Sequence, residues 1–80
     1  MCAKAQHDQN YLSLPGVLRK MREEAGMTQR ELGAKLGKPQ SWVHNCEVSN
    51  RRVDVTEFVL WAKGCNLDPL KAFVRLLKSL

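Results

Sequence analysis

Gln40, Ser41, His44 and Asn45 fall on one side of a short helical segment whose other side is Val43 and Cys46. Their side chains make a row of outward hydrogen-bonding groups. Gln and Asn amides bond bidentately to an adenine edge, and a Ser hydroxyl donates or accepts at several bases. A neutral His44 also donates or accepts, and protonation would add a cation to the same face. Ser41 and His44, at i and i+3, have the residue types of a nucleophile and its base. No acid is placed to orient that histidine. The chain also has no carboxylate pair set for acid–base work and no phosphate-cradling glycine loop, so the pattern argues against an enzyme.

Metal chemistry is equally unsupported. Cys2, Cys46 and Cys65 are scattered, without a Cys-x-x-Cys spacing, and His7 and His44 would have to converge on them. No metal or other cofactor is expected, and an odd number of unpaired thiols fits a reducing, cytoplasmic setting. No apolar run reaches membrane-spanning length, and the polar amino terminus does not read as a signal peptide. Residues 1–12 are expected to form a flexible arm in which Lys4 is the one fixed positive charge.

The net charge of +5 is unevenly spread. Residues 28–52 hold five Lys/Arg against two Asp/Glu, whereas residues 1–27 and 53–80 each hold four against three. The positive excess therefore surrounds the polar row. A basic surface attracts phosphate, although charge alone is a weak signal.

Five helices are needed to position these groups, and their punctuation is legible. The first begins near Ser13 or Leu14, with Pro15 in its first turn, carries the stripe Leu14, Val17, Leu18, Met21 and Ala25, and stops at Gly26. Thr28 with Glu31 forms a capping box for the second, which buries Leu32 and Leu36 and ends at Gly37. Pro39 opens the third, anchored by Val43 and Cys46. Asp54 with Glu57 caps the fourth, whose expected inward stripe is Val55, Phe58, Val59, Ala62 and Cys65, with Asn66 as the left-handed stop. Asp68-Pro69 starts the fifth, with Leu70, Phe73, Val74 and Leu77 along one side. Trp61 and Phe73 are expected in the core. No strand-like alternation, internal repeat or low-complexity tract interrupts this pattern, which makes 13–80 one compact all-α domain. An 80-residue chain has room for a single modest core.

The segment 28–47 is more than two helices. Gly33 sits where the second helix must pass close to the third, and Gly37 sits at the corner, where positive φ costs glycine little. A short helix, a glycine corner and a second helix with an outward polar row form a helix-turn-helix, in which one helix braces on DNA and the next enters the major groove. Over residues 17–74 the chain resembles the phage repressor and Cro (XRE-type) helix-turn-helix regulators, a five-helix, lambda-repressor-like fold. The resemblance is carried by Leu18 to Leu32, by Leu36-Gly37, Glu47 and Arg51-Arg52, and by the helix from Val55 to Cys65. Its most specific part is the string Thr28-Gln29-x-x-Leu32-x-x-x-Leu36-Gly37.

The resemblance implies roles residue by residue. Gln29 would bond a phosphate and prop Gln40. Gln40, Ser41, His44 and Asn45 would approach bases, while Lys38, Arg51 and Arg52 would contact flanking phosphates. Arg22 and Glu47 match a pair that forms a largely internal salt bridge, so they belong to the scaffold rather than to the DNA-contacting set. A bacterial or phage origin is implied too. Three departures from the family pattern follow. Cys46 replaces a larger apolar residue. Val48-Ser49-Asn50 replaces a glycine-containing turn, with Asn50 expected as the left-handed residue. Trp42 replaces a small polar residue and is expected to fold back onto the first helix.

Together these readings give a sequence-specific double-stranded DNA-binding transcriptional regulator, a repressor acting by occupancy. One small module rarely binds tightly or selectively enough alone, so a homodimer on an inverted-repeat operator is expected. The surplus apolar residues Leu76 and Leu80, with Phe73 and Leu77 beside them, are the expected dimer contact. The alternative is a protein-interaction module on the same scaffold, an antitoxin or adaptor, with Trp42, Leu76 and Leu80 as its hot spots. Under either reading a toxin or polymerase could be a further partner.

Overall fold

A computed structural model of the protein describes residues 13–80, which form α1 (Ser13–Glu24), α2 (Gln29–Leu36), α3 (Gln40–Glu47), α4 (Val55–Gly64) and α5 (Pro69–Ser79). The arm expected over residues 1–12 lies outside the described residues. None of the described helices is long and apolar enough to cross a membrane.

Both expected capping boxes are formed. The Glu31 N–H donates to Thr28 Oγ1 at 3.1 Å and the Thr28 N–H to Glu31 Oε1 at 2.8 Å. At α4 the Glu57 N–H donates to Asp54 Oδ1 at 2.8 Å and the Asp54 N–H to Glu57 Oε1 at 3.0 Å. Asp68 accepts from the Leu70 N–H at 3.1 Å, with Pro69 in the first turn of α5. Each satisfied cap contributes about 1 kcal/mol to its helix. Helix α3 starts without a side-chain cap, straight after the extended Pro39.

The ends of α1 to α4 share one device, a left-handed residue with a backbone bond closing over it. Gly26, Gly37 and Asn66 take this conformation as expected, at φ of 73°, 70° and 62°. After α3 the left-handed residue is Ser49, at φ 65°, and not Asn50. Helix length decides this. The Asn50 N–H donates to the Asn45 carbonyl at 3.0 Å, a closing bond that spans the left-handed residue and so places it one position earlier.

Leu18, Met21, Leu32, Val43, Cys46 and Trp61 are fully buried and tie α1 to α4 into one core. Trp61 stays satisfied there because its Nε1–H donates to the Leu18 carbonyl at 3.0 Å, which also pins α4 onto α1. Two expected stripes are corrected by the packing. On α4 the buried side runs through Phe58, Trp61, Ala62 and the capping Cys65, Val59 is half-buried, and Val55, at the very start of the helix, is 77% exposed. On α5 the correction is larger. Ala72 is buried and Leu76 is packed against the core, while Leu70, Phe73, Val74 and Leu77 are exposed. At about 100° per residue, that exposed stripe is centred roughly a third of a turn from the side that packs. Small Ala72 lets α5 lie close to its neighbours, and in that rotation Arg75 reaches Glu24 of α1 at 2.6 Å through Nη2. Phe73 is therefore not a core residue, although it meets Phe58 edge-on with ring centroids 6.4 Å apart. Leu76, expected on the outer side, is instead half-buried against the chain's own core.

Candidate nucleic-acid interface

The capping box of α2 places Gln29 at the first position of that helix, beside the start of α3. Gly33 then allows the chain to turn back tightly: a Cβ there would stand 2.6 Å from the Lys38 carbonyl oxygen. With Gly37 at the corner, α3 crosses close against α2 and its first residue, Gln40, comes within reach of Gln29.

A continuous set of hydrogen bonds runs outward from this junction. Arg22 and Glu47, both buried, form a bidentate pair, with Nε to Oε2 at 2.6 Å and Nη2 to Oε1 at 3.0 Å. The third guanidinium edge donates through Nη1 to the Met27 carbonyl at 2.8 Å. Glu47 holds the Arg22 guanidinium in its charged form: hydrogen bonding raises its pKa more than burial lowers it. Gln29 Nε2 donates to Glu47 Oε1 at 3.0 Å, and Gln29 Oε1 accepts from Gln40 Nε2 at 3.2 Å. Gln29 Nε2 also lies 3.4 Å from His44 Nδ1. Gln29 is thus the hub between the buried ion pair and two of the expected base-reading residues.

Gln40, Ser41 and His44 are exposed, and Asn45 is half-buried on the same helix. Lys38 and Arg52 are exposed at the two flanks. Arg51 is held by a carboxylate at the start of α4. It makes a bidentate pair with Glu57, at 2.9 and 2.8 Å, and bonds the Arg52 carbonyl at 2.8 Å. Its guanidinium also lies 4.9 Å from the centre of the Trp42 ring, on which Lys38 Nζ sits at 5.3 Å. Trp42 folds back, as expected, but its aromatic partner is Trp61 of α4, 6.1 Å between centroids, rather than a residue of α1. The Glu57–Arg51–Trp42 contacts brace the loop after α3 against both α3 and the start of α4. Sequence reading found Glu57 only as a capping residue. Its pairing with Arg51, six positions earlier across an irregular loop, leaves no periodic trace.

Arg51 lowers the pKa of Glu57 below its ordinary value of 4.5, chiefly by hydrogen bonding to the charged form. A depressed carboxylate contributes stability above its unfolded value, and that contribution is lost as pH falls through the folded value. Acid unfolding of the native protein should therefore carry a component beginning below about pH 4.5. Glu57→Gln, which retains a capping-box residue type, should flatten that limb in a circular-dichroism titration and leave the neutral-pH helix content unchanged.

Burial pushes the Cys46 and Cys65 thiols up to about 11, so both are protonated near neutral pH and serve as small core residues. Among the described residues no cluster of His, Cys, Asp and Glu could hold a metal ion.

Residues 14–74 match the family model described as a helix-turn-helix domain. An XRE-family-like protein from Pseudomonas syringae pv. tomato str. DC3000 is 40% identical and superposes with a TM-score of 0.82, covering 94% of this chain and 92% of that one. The restriction-modification controller protein C.Esp1396I is 25% identical and has been solved as a tetramer in complex with its natural 35-base-pair operator. Its TM-score is 0.81, with 90% of this chain and 95% of that chain covered. The same controller bound to a 19-base-pair duplex also gives a TM-score of 0.81 at 25% identity, covering 90% and 96% of the two chains. No curated protein matches the sequence.

Proposed function

Because the chain belongs to the XRE-type helix-turn-helix family, we propose that it is a sequence-specific regulator of transcription that binds duplex DNA as a dimer and represses by occupancy. The observation that carries this reading is the outward-facing row on α3, whose first member is braced by Gln29 from the preceding helix. In this reading Gln40, Ser41, His44 and Asn45 meet base edges in the major groove. Lys38, Arg51 and Arg52 face phosphates, and Gln29 meets one through its backbone N–H at the start of α2, since its amide hydrogens are used on Glu47 and His44. Arg51 has its charge already balanced by Glu57, so Lys38 supplies more of the attraction than Arg51 does. The controller C.Esp1396I binding its operator as a tetramer supports a multi-subunit mode for this chain as well.

The exposed side of α5 gives the dimer its surface. Leu70, Phe73, Val74, Leu77 and Leu80 leave apolar area uncovered on one helix, and Leu76 lies in the groove beside them. Two copies joined through this strip would place their reading helices for half-sites ~34–36 Å apart, one turn of DNA. Leu77 is 52% exposed, so Leu77→Glu is expected to leave the helical fold intact and to convert the dimer to monomer, read by light scattering after gel filtration. A dimer that survives this change would move the contact elsewhere.

The antitoxin-like alternative draws less support from the geometry. Of its three expected hot spots, Trp42 packs on Trp61 and Leu76 on the chain's own core, which leaves only Leu80 exposed. Selection of bound duplexes from a random oligonucleotide pool tests the main reading. An enriched inverted repeat with half-site centres one helical turn apart is the expected outcome; no enrichment would contradict it.

A further inference from the structure

A glutamine amide can be drawn in two orientations and a neutral histidine in two tautomers, and the choice reverses what each offers a base. The buried ion pair removes that freedom. A guanidinium only donates and a carboxylate only accepts, so the polarity of every bond leading outward from Arg22 and Glu47 is set. The Gln29 atom 3.0 Å from Glu47 Oε1 must be its nitrogen, since an oxygen there would oppose another acceptor. That orientation turns Gln29 Oε1 toward Gln40, which has to donate to it. Gln29 Nε2 carries a second hydrogen, and the atom on that side is His44 Nδ1, at 3.4 Å. Nδ1 facing a donor keeps its lone pair, so the proton of the neutral ring sits on Nε2. When the ring is protonated, Nε2 carries a hydrogen as well. In either state the nitrogen of His44 turned away from Gln29 is a donor.

We infer that Glu47, acting through Gln29, fixes His44 as a hydrogen-bond donor toward DNA, so that the reading helix rejects cytosine at the base His44 meets. This rests on the DNA-binding role proposed above and specifies what one of its residues reads. In the major groove cytosine presents only its N4 donor, whereas guanine, adenine and thymine each present an acceptor in N7, O6 or O4. Glu47 and Gln29 are positioning residues here, and His44 is the one that meets the base.

Two measurements on the full-length chain test this separately. The first is a long-range proton–nitrogen correlation spectrum of the DNA-free protein, recorded where the His44 ring is neutral. It should show an unprotonated Nδ1 and a protonated Nε2. Gln29→Leu removes the donor facing Nδ1 but leaves the Arg22–Glu47 pair in place, and it should let the ring populate both tautomers. The second is selection from a random duplex pool. Cytosine should be depleted at one position of each half-site by roughly fivefold or more relative to the pool selected by His44→Ala. A protonated Nδ1 in the neutral ring overturns the inference whatever the pool shows. So does equal acceptance of cytosine by the native protein and His44→Ala within an otherwise enriched site. A pool with no enriched site at all overturns the function proposed above, and the rejection of cytosine falls with it.

Discussion

Raising salt from 50 to 200 mM should weaken binding to the selected operator by ~10³–10⁵-fold, the loss expected when ~6–10 phosphates are neutralised. The charge distribution is what sets this size. The excess of positive residues lies in 28–52, and Lys38 and Arg52 are exposed on either side of the reading helix in each subunit. Arg51 contributes less than Lys38, because Glu57 already balances it at 2.8 Å. A dimer doubles each contact. Lys38→Gln should therefore lower the slope of log affinity against log salt by about two units per dimer, and it should weaken operator and random duplex alike. Fluorescence anisotropy across a salt series reads both quantities. A slope near zero would mean that phosphates are not what this surface meets.

Glu47→Ala should destabilise the domain by ~3–5 kcal/mol, because it strands the buried Arg22 guanidinium without its partner. Domains of this size hold roughly 4–12 kcal/mol in all, so much of the native population is at stake. Thermal unfolding should drop on the order of 20 °C. Replacing both partners, Arg22→Met with Glu47→Leu, should restore most of that stability, since a packed apolar pair of similar volume needs no charge compensation. It should not restore sequence selectivity, because Gln29 would lose the carboxylate that orients it. Thermal circular dichroism together with binding to operator and scrambled duplexes, on the single and double variants, separates these two consequences of one ion pair.

Helix boundaries were largely legible in the sequence because caps are local. Thr28 with Glu31, Asp54 with Glu57, and Gly26 and Gly37 act within a few residues of where they stand, and each does what its type dictates. The candidate site was legible for a related reason: Gln40, Ser41 and His44 share a helix face that Val43 and Cys46 orient from below, and the three are exposed as expected. What escaped depended on distant parts of the chain. Which side of α5 packs depends on where Ala72 fits against α1 and α4, far away in sequence, and the helix carries more apolar surface than a core this small can cover. The contact of Trp42 with Trp61 and of Arg51 with Glu57 arises only when α3 and α4 are brought together. Ser49 took the place expected of Asn50 because α3 and its closing bond set the count, against the preference that favours asparagine there.

Whether the outer face of α3 reads bases is decided by measuring the affinity of the native protein and of Gln40→Ala for the selected operator and for a scrambled duplex at one salt concentration. Losing one base contact costs ~1–3 kcal/mol, so the variant should bind the operator roughly 5–150-fold more weakly. Its affinity for the scrambled duplex should be close to that of the native protein. Equal weakening on both duplexes, or no weakening on either, would contradict the account.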